Sequence, residues 1–291
     1  GYPGSFAAAT LASAATIDIL IPPSIPFIIY ALASGASIGA LFIAGILPGM
    51  MLCVGFMAVC YFVGRSRNYP REARPISVML VLKEVGYASP ALALPVLIIV
   101  FLRFGVATPT EVSVISTLYA AVVSMLVYRD LTLQRVKAAV LEAGIATGVV
   151  LLVIMASSAM GWIITFEQLP VAFADFAKNT LHEPWLIILA MNIIMLFAGM
   201  FIDLPAAVLL LTPIFVPLAN MAGMDPVQLG VMMVVNLAIG LYTPPVGTTL
   251  FITSSIAKVK IGETVRAMVP FYLVALLVLI LMSYVPALTI R

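Results

Sequence analysis

Long apolar segments recur along this 291-residue chain, and they limit its possible folds more than any other feature. A transmembrane helix needs about 20 consecutive, mostly apolar residues. Candidate segments lie at residues 5–34, 38–64, 88–104, 108–128, 138–163, 184–199, 226–257 and 268–288. Because little polar chain is left between them, we predict an all-α polytopic membrane protein.

The composition excludes the main soluble classes. Hydrophobic residues make up 64% of the chain and charged residues 9%, whereas a soluble domain has about 45–50% and about 25%. A soluble protein needs charged surface to cover its core, so a soluble enzyme, a nucleic-acid-binding protein and a disordered chain are excluded. The formal net charge of +2 does not suggest a polyanionic partner.

Two of the long segments contain a proline pair near their middle. Pro22-Pro23 interrupts residues 5–34, and Pro244-Pro245 interrupts residues 226–257. Proline lacks the N–H group that continues an α-helix, so we expect two broken helices. We expect residues 200–222 to form a re-entrant hairpin of two short helices that meet inside the membrane. This stretch is punctuated by Asp203, Pro205, Pro213 and Pro217.

The proline pairs also indicate an internal repeat. They are 222 residues apart, and the same offset pairs Gly1 with Gly223 and Pro48 with Pro270. In both copies a glycine precedes an apolar helix that breaks at Pro-Pro and then resumes. We therefore interpret residues 1–75 as the C-terminal part of a first repeat and residues 76–291 as the second repeat.

The charged loops suggest an orientation. Three short basic loops, near residues 65–74, 129–137 and 258–266, are predicted to be cytoplasmic, and the more acidic loop 164–184 is predicted to lie on the opposite side. The two copies then have opposite topology, which is typical of secondary transporters. This arrangement requires that one segment between residues 76 and 199 is not a simple crossing, or that one loop assignment is wrong.

The first broken helix is a candidate binding site. A break exposes carbonyl groups at the end of one half-helix and N–H groups at the start of the next. The carbonyls of Thr16 to Ile21, with Ser24, are candidate cation ligands, and the N–H groups near Ser24 and Ile25 would face an anionic substrate. The alternative is a proline kink whose polar groups are satisfied by neighbouring helices.

The second broken helix offers a similar set of groups. Gly240 to Thr243 and Gly247 are candidate cation ligands, and Gly247 permits a close backbone approach. Thr248 and Thr249, which open the second half-helix, are candidate substrate ligands.

Polar side chains inside the apolar segments are further candidates. Asp18 and Asp203 would be costly if they faced lipid, and each is interpreted as a cation ligand, a proton carrier or a helix cap. Because Leu204-Pro205 follows Asp203, the N-cap interpretation is about as good for Asp203 as the ligand interpretation. Asn192 and Asn236 are expected to form interhelical hydrogen bonds, although Asn236 is also retained as a candidate cation ligand.

The remaining motifs have structural explanations. Thr108-Pro109-Thr110-Glu111 is typical of a capping box at a helix start. His182 is the only histidine, and Cys53 and Cys60 are seven residues apart, too far on a helix for a disulfide. The sequence contains no nucleophile–base pair and no phosphate-binding loop, so we predict neither an enzyme nor a resident metal or other cofactor.

The motifs as a set resemble one family, the large membrane subunit of TRAP (tripartite ATP-independent periplasmic) transporters. The likeness covers the whole chain, and the motifs occur in the family's order. Besides the TPTE segment at 108–111, the matching stretches are GYP at 1–3, FAAA at 6–9, ILIPPSIP at 19–26, GMFID at 199–203, TPIFVP at 212–217, GMDP at 223–226 and GLYTPPVG at 240–247.

The resemblance implies an elevator-type importer of small organic anions, such as C4-dicarboxylates or sugar acids, driven by sodium ions in the bacterial inner membrane. It implies two partners, a small four-helix membrane subunit and a periplasmic substrate-binding protein. One sodium site would lie between the hairpin at Gly199 to Pro217 and the break at Gly240 to Gly247. The other would use Thr16 to Ser24 and a hairpin preceding Gly1, so we expect the chain to correspond to the C-terminal two-thirds of such a subunit.

One departure from the family and three rival functions remain open. Ala15 and Asp18 stand where the family commonly has glycine, and an added carboxylate there would strengthen cation binding, admit a proton or simply face water. The rivals are an ion channel gated at a Pro-Pro break, a membrane-embedded enzyme and a fragment without transport activity. An enzyme would need polar groups clustered on facing helices, and only Asp18 and Asp203 come close to this.

Overall fold

The computed structural model describes residues 2–70, 77–180 and 183–289, and these residues are almost entirely helical. They contain twelve α-helices, one π-helical turn at Val123–Val127, one 3-10 turn at Pro286–Leu288 and no β-strand. The predicted all-α class is therefore confirmed. In chain order, the α-helices are α1 (Gly4–Leu20), α2 (Ile25–Ser34), α3 (Ile38–Ser66), α4 (Val78–Arg103), α5 (Pro109–Val122), α6 (Leu133–Phe166), α7 (Leu169–Thr180), α8 (Pro184–Gly199), α9 (Leu204–Met221), α10 (Pro226–Gly240), α11 (Thr248–Ile256) and α12 (Ile261–Tyr284).

Six of the described helices are long and apolar enough to cross a membrane. They are α3, α4, α5 with its π-helical turn, α6, α9 and α12. Helices α1 and α2 together are also long and apolar enough to cross, although they are bent by 47° at the short break between them. The chain is therefore a multi-pass membrane protein.

Several helix boundaries differ from the expected ones. The helix expected from residue 88 begins at Val78, because Lys83 and Glu84 lower the local hydropathy but are good helix formers. The helix expected at 268–288 begins at Ile261 and ends at Tyr284. A helix, α7, also occupies much of the loop that was expected at 164–184.

The stretch 200–222 is not two short helices. Residues from Leu204 to Met221 form a single helix, α9, with Pro213 and Pro217 inside it. The turn at residues 200–203 joins α9 to α8, and α8 and α9 pack against each other. The hairpin is therefore formed by α8 and α9, and the two prolines do not break α9.

Packing divides the described chain into two compact units. One combines the residues up to Pro70 with those from Val153 onward, and the other contains the residues between them. This division differs from the predicted repeat boundary at residues 75 and 76, which stays a prediction.

Helix α10 is the centre of the first unit. Every residue from Gln228 to Gly240 is buried, and α10 packs against α1, α2, α3, α8, α9 and α12. Its start is fastened to α2 by Tyr30, whose hydroxyl donates to the Pro226 carbonyl at 2.6 Å. The break that follows α10 therefore starts inside the unit, although Pro245 and Val246 within it are exposed.

The helices on either side of the two breaks have similar lengths, 17 and 15 residues for α1 and α10 and 10 and 9 residues for α2 and α11. When α2 is shifted by 222 residues it covers 247–256, and α11 is Thr248–Ile256. Pro48 lies inside α3 and Pro270 inside α12, and both Pro-Pro bonds are cis. The packing is also reciprocal, since α1 contacts α11 and α12 while α10 contacts α2 and α3. Gly223 has a positive φ of 70°, and its predicted counterpart Gly1 lies outside the described residues.

The second unit contains α4, α5 and the start of α6. The predicted capping box at the start of α5 is confirmed, since the Glu111 carboxylate accepts from the Thr108 N–H at 2.8 Å and the Thr108 hydroxyl accepts from the Glu111 N–H at 3.4 Å. Helices α4 and α5 are fastened together by the Tyr119 hydroxyl, which donates to the Pro90 carbonyl at 2.8 Å.

Candidate cation and substrate site

The segment between α1 and α2, residues 21–24, is termed break 1. Pro22 and Pro23 lack the N–H groups that would bond to the carbonyls of Asp18 and Ile19 in a continuous helix. The Ser24 hydroxyl donates to the Ile19 carbonyl instead. Among the described residues, none donates a hydrogen bond to the carbonyls of Asp18, Leu20 or Ile21. Break 1 therefore leaves these three backbone acceptors open, and within the described chain the carbonyls of Pro22 and Pro23 also accept no hydrogen bond.

The side chains at break 1 differ in their surroundings. Thr16 and Ser24 are buried, and the Thr16 hydroxyl donates to the Ser13 carbonyl at 2.7 Å. Ser24 caps α2, because its hydroxyl oxygen accepts from the Phe27 N–H at 3.4 Å. Asp18 is exposed.

The segment between α10 and α11, residues 241–247, is termed break 2. In a continuous helix, the carbonyls of Gly240 to Thr243 would accept from the four residues that follow Thr243. Here the Gly240 carbonyl accepts from the Thr243 N–H at 3.0 Å and the Leu241 carbonyl accepts from the Thr249 N–H at 2.9 Å. The Tyr242 carbonyl accepts from the Tyr272 hydroxyl at 2.6 Å.

Only the last of these four carbonyls, that of Thr243, receives no hydrogen bond from the described residues. The Thr243 hydroxyl donates to the Ile239 carbonyl at 2.7 Å, which leaves its oxygen lone pairs free to accept. Gly247 has a φ of 40°, and a Cβ there would lie 2.9 Å from the Thr243 carbonyl oxygen. A side chain at position 247 would therefore obstruct that oxygen.

The tip of the α8–α9 hairpin lies against the end of α10. A Cβ added at Gly240 would lie 2.4 Å from the Gly199 carbonyl carbon and 2.5 Å from its oxygen. The two backbones therefore approach as closely as only glycine permits. The structure thus brings together two of the predicted site residues, one from the hairpin and one from the second broken helix.

Asp203 occupies the N-cap position of α9 but does not act as a cap. Its side chain accepts no hydrogen bond from the first N–H groups of the helix, and the residue is exposed. The sequence therefore predicts the helix start correctly, whereas the capping bond is absent. The carboxylate keeps its acceptor capacity for another partner.

A buried polar network ties the hairpin to the helices behind it. The Asn236 amide nitrogen donates to the Asn192 backbone and side-chain oxygens at 2.9 and 2.8 Å. The Asn192 amide nitrogen in turn donates to the Ser283 hydroxyl at 3.0 Å. The predicted interhelical role of both asparagines is confirmed. The side-chain oxygen of Asn236 is buried without a hydrogen-bond partner among the described residues, so it remains a free acceptor one turn before Gly240.

The predicted anion-binding groups lie at the starts of α2 and α11. Ile25 and Thr248 are exposed, and no described residue accepts from their N–H groups. The Thr249 N–H, by contrast, is used within break 2. The two half-helix starts therefore offer free N–H groups, but Thr249 offers only its hydroxyl.

The predicted residues of the two breaks are not joined to each other by hydrogen bonds within the part of the chain described. Sequence reasoning missed two residues of the site region, Tyr272 and Ser283, and it included Tyr242 only as one carbonyl in the range Gly240 to Thr243. Tyr242 stands inside the GLYTPPVG stretch that carried the resemblance, but Tyr272 and Ser283 carry no sequence signal because only tertiary packing brings α12 to this position.

Comparison with known proteins gives one consistent result. The family model for the tripartite ATP-independent periplasmic transporter, DctM component, matches residues 1–288. The chain is 54% identical over its whole length to an uncharacterized protein, y4mL, of Sinorhizobium fredii, of which it covers 69%. It is 39% identical to the C4-dicarboxylate TRAP transporter large permease protein DctM of Pseudomonas aeruginosa, with 100% of this chain and 68% of the relative aligned. It is 37% identical to the sialic acid TRAP transporter large permease protein SiaM of Vibrio cholerae, with 99% and 67% aligned.

The chain thus spans about two-thirds of the length of these relatives. The match to the family model extends over both breaks, the hairpin and the capping box. Membership of a permease family explains why the chain is helical and multi-pass, and why the candidate site consists of backbone groups at helix breaks. The chain belongs to the DctM family of TRAP transporter large permeases and is a transport protein, not an enzyme.

Proposed function

We propose that the chain is the cation- and substrate-binding part of a sodium-coupled importer of small organic anions. The observation that carries this proposal is the pair of helix breaks, one of which lies against a hairpin tip. Sodium prefers oxygen ligands, and the two breaks supply backbone carbonyls and hydroxyls that the bilayer cannot solvate.

The cation at break 2 would be held by the Thr243 carbonyl and hydroxyl oxygens, with the hairpin tip closing the site. The Gly199–Gly240 contact places the tip within backbone contact of α10. Asn236 supplies a buried, unpartnered oxygen on the same helix. Asp203, whose carboxylate is not used as a cap, would add charge at the hairpin tip.

The cation at break 1 would be held by the open carbonyls of Asp18, Leu20 and Ile21. Ser24 already caps α2 and bonds to Ile19, so its hydroxyl would contribute only its remaining lone pair. The exposed Asp18 carboxylate lies at the same break and would strengthen cation binding there.

The substrate would bind at the starts of α2 and α11. The positive end of a helix dipole and its free N–H groups favour an anion, and Ile25 and Thr248 carry such groups. The Pseudomonas and Vibrio relatives are named as transporters of C4-dicarboxylates and of sialic acid. Both substrates are carboxylates, which supports a small organic anion as the substrate class.

Sodium coupling would supply the driving force. Each positive charge that moves inward across 100 mV gains about 2.3 kcal/mol. The charge of the anion opposes this gain, so only sodium ions in excess of that charge would draw on the membrane potential, whereas every co-transported sodium ion would draw on the sodium concentration gradient. We place the protein in the bacterial inner membrane, where it would work with a small four-helix membrane subunit and a periplasmic substrate-binding protein.

We also propose that the two broken helices belong to an inverted repeat that moves in an elevator mechanism. The matching bounds of α2 and α11 and the reciprocal packing of the helices on either side of the breaks support the repeat. Residues 1–75 would be the C-terminal part of the first half of this repeat, and residues 76–291 would be the second half.

The proposal is tested by uptake into proteoliposomes that contain the complete permease and its small subunit. Labelled succinate and sialic acid serve as probes, each with its binding protein, and an inward sodium gradient is compared with a choline gradient. We expect uptake only with sodium. Uptake that is equal in choline would refute sodium coupling, and single-channel currents would favour the rival ion channel.

The site itself is tested by Thr243→Val, which removes one candidate ligand but keeps the side-chain shape. We expect a several-fold higher sodium concentration for half-maximal uptake. Thr253→Val is the matched control, because the Thr253 hydroxyl also donates to the carbonyl four residues earlier, at 2.9 Å, but lies in α11 beyond the break. An equal response of both variants would remove Thr243 from the site.

A further inference from the structure

Tyr272 is a residue of α12 that reaches into break 2. Its hydroxyl donates to the Tyr242 carbonyl at 2.6 Å, and its ring stacks on the Tyr242 ring with centroids 5.4 Å apart and an interplanar angle of 17°. Tyr242 is fully buried. The break is therefore held by a side chain that lies 30 residues away in the sequence.

This hydrogen bond fixes a peptide unit next to the candidate cation ligands. The Tyr242 carbonyl and the Thr243 N–H belong to one planar peptide unit. The N–H end donates to the Gly240 carbonyl at 3.0 Å, and the carbonyl end is held by Tyr272. With both ends held, rotation of this peptide unit is restrained, so the direction of the next carbonyl, that of Thr243, depends mainly on the φ and ψ angles of Thr243 itself.

Break 1 has no equivalent of this contact. The offset of 222 residues pairs Tyr242 with Leu20 and Tyr272 with Met50, and a methionine side chain cannot donate a hydrogen bond. Among the described residues, none donates to the Leu20 carbonyl, and a Cβ at Gly45 would lie 2.6 Å from that oxygen. The tyrosine contact therefore distinguishes break 2 from break 1.

We propose that Tyr272 is a positioning residue for the cation at break 2. It does not touch the cation; it holds the Tyr242–Thr243 peptide unit so that the Thr243 carbonyl and hydroxyl oxygens face the same ion. This inference rests on the proposed function, because it assumes that a coupling cation binds at break 2.

The test is Tyr272→Phe, which removes the hydroxyl and keeps the stacked ring. Tyr30→Phe is the matched control. The Tyr30 hydroxyl also donates to a backbone carbonyl at 2.6 Å, but this carbonyl belongs to Pro226 at the start of α10, far from break 2 at the other end of the helix. The thermal unfolding temperature of the purified full-length permease is measured against sodium chloride concentration, with choline chloride keeping the ionic strength constant. A ligand that binds the folded state stabilises it by RT ln(1 + [L]/Kd), so fitting the unfolding temperature against sodium concentration gives an apparent Kd, termed the sodium midpoint.

We expect the wild type to be stabilised by sodium and not by choline. Tyr272→Phe should have a sodium midpoint about fivefold higher than that of the wild type, the change that the loss of one neutral hydrogen bond produces. Both variants should unfold earlier than the wild type without sodium, but Tyr30→Phe should keep the wild-type sodium midpoint.

The outcomes separate this inference from the proposed function. A wild type that shows no sodium-specific stabilisation overturns both. A wild type that responds, with equal sodium midpoints in the two variants, overturns only the positioning role of Tyr272, because the hydroxyl would then be no more than a structural contact.

Discussion

The contact between Gly199 and Gly240 gives the sharpest prediction about the hairpin. In Gly240→Ala the new methyl group would lie 2.4 to 2.6 Å from three backbone atoms of Gly199, whereas ordinary contacts begin at 3.4 Å. Helix α8 must therefore retreat by about 1 Å, because neither backbone can rotate away as a flexible side chain would. Forced overpacking of a core costs about 1–3 kcal/mol, so we expect clear thermal destabilisation.

The same shift should weaken the site. The two Asn236–Asn192 hydrogen bonds, at 2.8 and 2.9 Å, join the same pair of helices, and a retreat of about 1 Å would bring them beyond ordinary hydrogen-bonding distance. We therefore expect Gly240→Ala to raise the sodium concentration needed for half-maximal uptake as well as to lower the unfolding temperature.

Two other glycine variants calibrate this experiment. A Cβ at Gly199 would find its nearest atoms at 3.2 to 3.3 Å, and one at Gly262 would find nothing within 4 Å. Alanine is favoured over glycine inside a helix by about 1 kcal/mol, so Gly262→Ala should be neutral or stabilising and Gly199→Ala intermediate. The close approach of hairpin and break would be refuted if Gly240→Ala matched Gly262→Ala both in unfolding temperature and in the sodium concentration for half-maximal uptake.

Two further predictions concern the polar groups around the breaks. Ser24→Ala should destabilise the purified protein by about 0.5–2 kcal/mol, the usual cost of a lost N-cap. The loss should exceed that of Ser37→Ala, because Ser37 caps α3 through the same type of bond but is exposed. Equal unfolding temperatures of the two variants would contradict the role of the Ser24 hydroxyl in joining α1 to α2. Asn192→Leu should cost about 1–3 kcal/mol, because the Asn236 amide loses the Asn192 side-chain oxygen and keeps only the backbone oxygen as an acceptor. Adding Asn236→Leu should recover part of that loss, and strictly additive losses in the double variant would show that the two side chains do not interact.

The positions of both breaks could be predicted from the sequence. Proline has no N–H, so the pairs at Pro22-Pro23 and Pro244-Pro245 fix in advance which carbonyls lose their partners. Helices α1 and α10 end before these pairs, at Leu20 and Gly240. The same reasoning predicted a break in the stretch that contains Pro213 and Pro217, and there it was wrong, because both prolines lie inside the continuous helix α9.

The difference between these prolines is physical. A single proline removes one hydrogen bond, and neighbouring helices in a membrane protein can compensate for that loss. Two adjacent prolines remove two consecutive bonds, and helix α9 has no such pair. The expected hairpin at 200–222 was therefore displaced: its turn lies at residues 200–203, and its first arm is α8.

What replaces the lost hydrogen bonds could not be predicted, because the donors are selected by tertiary packing. At break 1 the substitute donor is local, the Ser24 hydroxyl, and a serine after Pro-Pro is visible in the sequence. At break 2 one substitute is Tyr272, which α12 brings to the Tyr242 carbonyl, and no spacing rule identifies it. A sequence can therefore show where a membrane helix loses its backbone bonds. Which of the freed carbonyls find a substitute donor, as Ile19 and Tyr242 do, and which stay open in the described chain, as Thr243 does, emerges only when the neighbouring helices are in place.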